Sequence, residues 1–273
     1  MIVVSCRQGF GSDCKLAGRL LVREYPDPAR LDELRDVGMS ELRDRAAGQT
    51  VGVLVHGYNT KLSEVLTAYG EMQERMTRAG LLGRQGCYGL LVGFAWPGWT
   101  RVAFLLARRA ANQAGLFLRE LMNELRGTAQ AVDVQTHSLG ARVALSALRK
   151  KDGTAARHVL LSAAAVDYTI LEPGRFFQPS LRACARCVVY HSRRDKVLRQ
   201  AFPVGDSPDG IQPALGLNGP RSRAITLRAC PNVHVVDCAA VVGEHSGYRK
   251  ADAYYQHWYR VASGAALERY EKL

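Results

Sequence analysis

The stretch Ala131-Val132-Asp133-Val134-Gln135-Thr136-His137-Ser138-Leu139-Gly140-Ala141-Arg142-Val143-Ala144-Leu145-Ser146-Ala147-Leu148 decides how this chain is read. Val132 and Val134 predict a short strand, and Ala141 to Leu148 predict a helix, so Ser138 falls on the tight turn between them. A serine held in a strained turn of this kind has its Oγ lifted clear of the sheet, and the helix that follows presents backbone N–H groups to developing negative charge. Gly140 is read as the point where helix and strand come too close for a side chain. The general pattern is glycine-x-serine-x-glycine. Here Thr136 replaces the first glycine, and a side chain there is expected to crowd the turn. A serine ahead of a helix also serves as an N-cap, so the pentapeptide gains meaning only with the rest of the chain.

Working outward, apolar β-branched runs alternate with helical patterns almost from end to end. Strands are predicted near 1–5, 51–56, 88–95, 131–136, 157–164, 186–191 and 233–237. Residues 61–79 place Leu62, Val65, Leu66, Tyr69, Met72 and Met76 on one helical face, and residues 101–126 do the same with Leu105, Leu106, Leu116, Leu121 and Leu125. This rhythm predicts an α/β fold, a mostly parallel central sheet flanked by helices on both faces with no large cap, and residues 1–273 read as a single domain. Two segments break the rhythm: 168–183, with Phe176-Phe177, and the proline- and glycine-rich 202–222. Both follow strands at the end where such sheets bind ligands, and are expected to wall or cover a site.

Composition narrows the classes. The chain has 273 residues, 47% apolar and 23% charged, enough to bury a full core. No apolar run approaches the ~18 residues needed to cross a bilayer. In Met1-Ile2-Val3-Val4-Ser5-Cys6-Arg7 a charge arrives too early for a secretory segment, and a cytoplasmic location is expected. Seven scattered cysteines read as reduced thiols. Cys184 and Cys187 form a C-x-x-C with no second pair or histidines beside it, and read as buried strand residues. No metal or cofactor is implied. The net charge of +12 is mostly arginine spread along the whole chain. With no basic block interleaved with aromatics, no specific nucleic-acid partner is expected, while peripheral contact with an anionic membrane stays open.

Further motifs stand upstream of the elbow. Val51-Gly52-Val53-Leu54-Val55-His56-Gly57-Tyr58-Asn59 reads as a buried strand ending in a glycine turn, and Phe94-Ala95-Trp96-Pro97-Gly98 closes the next strand. In this order, with His137-Ser138-Leu139-Gly140 after them, these segments resemble the α/β-hydrolase superfamily. The likeness is closest to a compact bacterial group of serine esterase- and lipase-like proteins of unknown function, and covers roughly residues 50–250. The resemblance implies an oxyanion hole built from the backbone N–H groups of Tyr58 and Leu139, each such donor being worth about 10²–10³ in rate. His56 then reads as a loop-organising residue.

The resemblance also implies the order serine, acid, histidine. Asp195 follows the strand ending in Val188-Val189-Tyr190-His191 and resembles the family's acid loop, with Asp167, one strand earlier, as its rival. Asp237 is expected to support the histidine loop. Among the histidines, His137 sits inside the elbow and is expected to point away from Ser138. His158 and His234 lie in strands, His191 ends a strand too early, and His257 shares a packing stripe with Tyr254, Tyr255 and Trp258. His245, in Gly243-Glu244-His245-Ser246-Gly247-Tyr248, resembles the family's histidine loop and is the expected base. Trp96, Trp99, Phe176 and Phe177 are candidate substrate contacts.

The leading expectation is a serine hydrolase acting on small-molecule or lipid carboxylic esters through an acyl-enzyme at Ser138. Two others stand beside it. One is a non-catalytic interaction protein on the same scaffold, motivated by Thr136 and the basic surface. The other is a membrane-surface phospholipase, with the positive charge on anionic lipid and Phe176 and Phe177 in a flap.

Overall fold

The β-branched runs build one sheet in the computed structural model, which describes residues 1–25, 35–98, 104–149, 155–202 and 212–273. Its strands are β1 (Ile2–Arg7), β2 (Leu16–Glu24), β3 (Arg35–Asp36), β4 (Thr50–Val55), β5 (Leu90–Ala95), β6 (Ala131–His137), β7 (Ala156–Ser162), β8 (Cys184–His191), β9 (Val233–Asp237) and β10 (Tyr270–Lys272). Their spatial order is β10-β9-β8-β7-β6-β4-β5-β1-β2-β3. From β10 through β1 all neighbours pair in parallel, and β2 and β3 are added antiparallel at one margin. The expected α/β-hydrolase architecture is therefore present, and no large cap interrupts it among the described residues.

The central strands are buried on both faces because helices cover both. These are α1 (Met39–Ala46), α2 (Leu62–Arg78), α3 (Phe104–Arg126), α4 (Gly140–Leu148), α5 (Lys196–Ala201), α6 (Leu215–Asn218), α7 (Arg223–Ala229) and α8 (Asp252–Ala262). On α2 the expected face is the buried one: Val65, Leu66, Tyr69, Met72 and Met76 face the core. On α3 the expected face needs correcting. Leu106 and Leu116 are exposed, and the Leu105 side chain lies outside the described residues. Leu121 and Leu125 are buried as expected, and the rest of the buried stripe is Ala107, Ala110, Ala111, Ala114, Leu118 and Met122. The reason is closeness to α4: a Cβ placed on Gly115 would come within 2.6 Å of the Ser146 Cβ. A seam this narrow admits alanine and glycine and leaves larger leucines outside.

Two polar knots hold the sheet at opposite ends. At the C-terminal end the Tyr69 hydroxyl accepts the His56 N–H at 3.0 Å and lies 2.8 Å from the carbonyl oxygens of both Leu54 and Phe94, tying β4 to β5. At the other end the buried Asp133 carboxylate accepts from Tyr88 Oη, the Arg157 guanidinium and the His158 N–H, while Trp258 Nε1 donates to Tyr88 Oη. Burial acts to raise the Asp133 pKa, but hydrogen bonds from His158 and Arg157 outweigh it and hold the carboxyl below its ordinary range. His158 thus belongs to a structural network. Cys184 and Cys187 are buried free thiols of β8.

The candidate site residues all follow C-terminal ends of parallel strands: His56 to Asn59 after β4, Ser138 after β6, Asp195 after β8 and His245 after β9. Loops at this edge lie next to one another in space whatever their distance in sequence.

Candidate active site

Ser138 has φ 56°, in the left-handed region, on the turn from β6 into α4. The conformation is fixed from both sides, with the Ser138 N–H donating to Ser162 O at 3.0 Å and the Ser138 carbonyl accepting from Ala141 and Ala165, each at 3.1 Å. Thr136 does not crowd the turn: it is buried, and its Oγ1 donates to Leu160 O on β7 at 3.1 Å. The two glycines flanking the site are sterically required. A Cβ on Gly140 would meet His56 O at 2.5 Å, and a Cβ on Gly57 would meet the Ser138 Cβ at 2.9 Å. The elbow and the loop after β4 therefore lie directly against each other. Leu139 opens α4, where the first backbone N–H groups of a helix have no partner within it.

His245 and Asp195 meet although fifty positions separate them, with Nδ1 of the ring 2.7 Å from Oδ2 of the carboxylate. Asp195 is buried and caps α5, its Oδ1 accepting the Leu198 N–H at 2.9 Å. Asp167, the rival acid, turns to its own loop, where its Oδ1 accepts from the Thr169 N–H and hydroxyl at 2.7 and 2.8 Å. The loop carrying His245 is tied down at several points. Ser192 Oγ donates to Val242 O at 2.6 Å, Arg194 Nη1 donates to Ala239 O at 3.2 Å, and Asp237 Oδ1 accepts the Ala239 N–H at 2.9 Å.

His137 plays a part that its place in the elbow does not announce. Its Nε2 donates to the His245 carbonyl at 2.9 Å, and the two rings lie 4.7 Å apart between centroids. Burial first, and the neighbouring His245 second, push the His137 pKa down to about 3, so the ring stays neutral. His234 and His257 serve elsewhere, bonding to Glu268 O and Tyr190 Oη. His191 is buried at the end of β8.

Ser138 and His245 open onto one cavity of about 460 Å³. Tyr58, Phe104, Val197, Leu198 and Phe202 give it an apolar wall, and no charged side chain lines it among the described residues. Tyr58 meets Phe104 edge-on at 5.8 Å, and Phe104 meets Phe202 in the same way at 5.9 Å. A second cavity of about 330 Å³ is lined by His56, Gly57, His137 and Arg249 around the loop that follows β4, with Asn59 bordering both cavities.

The expected substrate contacts need revision. Trp96 is fully buried and lines neither cavity; its Nε1 donates to His56 O at 2.9 Å and its ring stacks on His56, so it belongs to the core under the loop. Trp99 lies outside the described residues. Phe177 is buried in the core, and Phe176 sits under the Arg149 guanidinium, 4.0 Å from its ring centroid. The segment carrying them is drawn onto α4 by the bonds Arg149 Nε to Phe176 O and Ser180 Oγ to Leu145 O, and so covers the helix and not the cavity. Phe104 and Phe202 are the phenylalanines that line the cavity with Ser138 and His245. Their only sequence signal is a position at the start of one helix and the end of another. Among the described residues no three histidine, cysteine or acidic side chains converge to hold a metal ion, and no helix is long and apolar enough to cross a membrane.

Comparison with known proteins agrees with this architecture. No curated protein sequence matches the chain. Among solved structures, a Listeria innocua protein is 12% identical, covers 82% of this chain and 98% of its own, and superposes with a TM-score of 0.51. LpqC, a poly(3-hydroxybutyrate) depolymerase from Bordetella parapertussis, is 14% identical over 92% of this chain and 88% of its own, with a TM-score of 0.52. Residues 35–207 match the family described as alpha/beta hydrolase of unknown function (DUF900), and with well over half its length so matched the chain belongs to that family.

Proposed function

We propose that the protein is a serine hydrolase of carboxylic esters with an apolar acyl group, working through an acyl-enzyme at Ser138. The observation that carries the reading is the Asp195–His245 pair at 2.7 Å, whose ring shares a cavity with a serine held in left-handed backbone. With Nδ1–H donated to Asp195, the His245 Nε2 is left with a lone pair to take a proton.

In this mechanism Ser138 Oγ attacks the ester carbonyl as its proton passes to His245 Nε2. The carbonyl oxygen gains the negative charge, and the N–H groups of Tyr58 and Leu139 are assigned to receive it. The carbon–oxygen bond to the alcohol then breaks, and the imidazolium returns the proton to the departing alkoxide. Water repeats the sequence on the acyl-enzyme and frees the acid. Asp195 holds the tautomer and stabilises the imidazolium while remaining ionised. The aromatic and aliphatic wall, without charge, favours an acyl group that gains by leaving water.

Labelling by a fluorophosphonate probe, together with hydrolysis of a p-nitrophenyl ester series, tests the reading. Wild type is expected to be labelled and to turn over esters, and Ser138→Ala to do neither. Absence of labelling in the wild type, or equal labelling of Ser138→Ala, would refute it and leave the non-catalytic scaffold as the explanation.

A further inference from the structure

Arg7, at the end of β1, is a charged side chain with no exposed surface, and burial of a guanidinium demands a reason. Its Nη1 donates to Asp13 Oδ1 at 2.7 Å, and its Nη2 donates to Thr60 O at 3.1 Å and lies 3.4 Å from His56 Nε2. One planar fork thus reaches both ends of the His56–Thr60 loop.

These contacts determine the state of His56. Its Nε2 faces two groups that can only donate, the Trp96 N–H at 3.1 Å and the Arg7 guanidinium, so that nitrogen carries the lone pair. The proton therefore sits on Nδ1, which donates to Gly57 O at 2.8 Å. Burial, and then the charge on Arg7, hold the His56 pKa well below the ordinary imidazole value, so the second nitrogen does not acquire a proton. In a trans peptide the C=O and N–H point in opposite directions. Once Gly57 O is held on His56, the N–H of the same peptide, that of Tyr58, faces away from His56.

We propose that Arg7 is a positioning residue of the oxyanion loop, acting through the neutral Nδ1–H form of His56 to aim the Tyr58 N–H at the space beside Ser138 Oγ. The proposal rests on the ester-hydrolase reading given above. It explains why a β1 residue far from the elbow in sequence carries a buried charge: a cation at that place keeps His56 in one tautomer, and its second arm fixes the loop at Thr60.

Three variants and one spectrum test it. Arg7→Lys keeps a cation for Asp13 but lacks the fork. His56→Asn keeps a donor near the Nδ1 position, whereas His56→Gln places its amide near Nε2 and leaves Gly57 O without a donor. Against a short p-nitrophenyl ester, Arg7→Lys and His56→Gln are expected to lose about 10- to 100-fold in kcat with KM within about twofold, the mark of a contact made only in the transition state. Affinity for a trifluoromethyl ketone is expected to fall in parallel, and His56→Asn to recover most of kcat. Equal kcat in folded wild type and Arg7→Lys, or equal damage in His56→Asn and His56→Gln, overturns the proposal while the hydrolase reading survives. A wild type inert to both ester and probe ends both. Nitrogen-15 NMR of the unaltered protein guards against a variant that fails to fold. The His56 proton is expected on Nδ1 from about pH 5 to 9, and a proton on Nε2 overturns the proposal.

Discussion

Asp195 divides its carboxylate between two tasks: Oδ2 lies 2.7 Å from His245 Nδ1, and Oδ1 accepts the Leu198 N–H that opens α5. The two tasks separate by substitution. An asparagine side chain still caps a helix well, so Asp195→Asn is expected to melt within a few degrees of wild type. Its amide favours the wrong imidazole tautomer, and kcat is expected to fall by about 10³–10⁴. Asp195→Ala loses the cap as well and is expected to be destabilised by about 1 kcal/mol. Thermal melts beside ester kinetics check both.

His137 holds His245, the proposed base, through the bond from its Nε2 to His245 O. His137→Gln keeps a donor near Nε2 and is expected to retain activity within about threefold, whereas His137→Leu leaves a part-buried carbonyl unpaired, at a cost of about 1 kcal/mol. That variant is expected to lower kcat more than it raises KM, because the base and not the substrate is displaced. Equal kinetics in the two variants would remove His137 from this role.

Phe104 joins Tyr58 and Phe202 in the cavity wall through edge-on ring contacts. Phe104→Ala is expected to enlarge the cavity and move the preferred p-nitrophenyl ester toward longer acyl chains. Discrimination between chain lengths should shift by about 10-fold, the usual scale for a methylene or two in an apolar pocket. An unchanged chain-length profile would place the acyl group elsewhere.

Asp133 lies at the far end of the sheet and concerns stability alone. Asp133→Ala is expected to cost about 3 kcal/mol, the low end for breaking a buried pair, because Arg157 reaches solvent. The folded carboxyl titrates below its unfolded value of about 3.9, so its contribution is fully present above that pH and is lost as pH falls through the folded value. Below about pH 4 the wild type should therefore lose melting temperature more steeply than Asp133→Ala.

Much of the sheet is legible in the sequence because its signal is local. Runs such as Val51 to Val55 and Val188 to Tyr190 are apolar throughout, as strands buried on both faces must be, and the expected strands lie close to the observed ones. The half-exposed β2 and the short margins β3 and β10 carry no such run, and the sequence does not announce them. The meeting of Asp195 with His245 follows the order in which the sequence presents them. Side-chain direction is harder to read. Trp96 and Phe177 are large and apolar and follow strands, yet both turn inward, because the space beneath them is decided by His56 in one case and by α4 in the other. The buried face of α3 departs from expectation for a related reason: the spacing between α3 and α4 rewards small residues, and a reading weighted toward leucine looks past alanine.

The left-handed backbone at Ser138 has a consequence for the protein's durability. An L-residue in that region is strained by roughly 1–2 kcal/mol, and glycine is not. Replacing Ser138 with glycine removes the hydroxyl and releases the strain together, and Ser138→Gly is expected to unfold at a higher temperature than the wild type by a margin of about 1 kcal/mol. If Ser138 is the nucleophile as proposed, reactivity and robustness are in competition at one position, and a chain selected only for endurance would drift toward the silent variant.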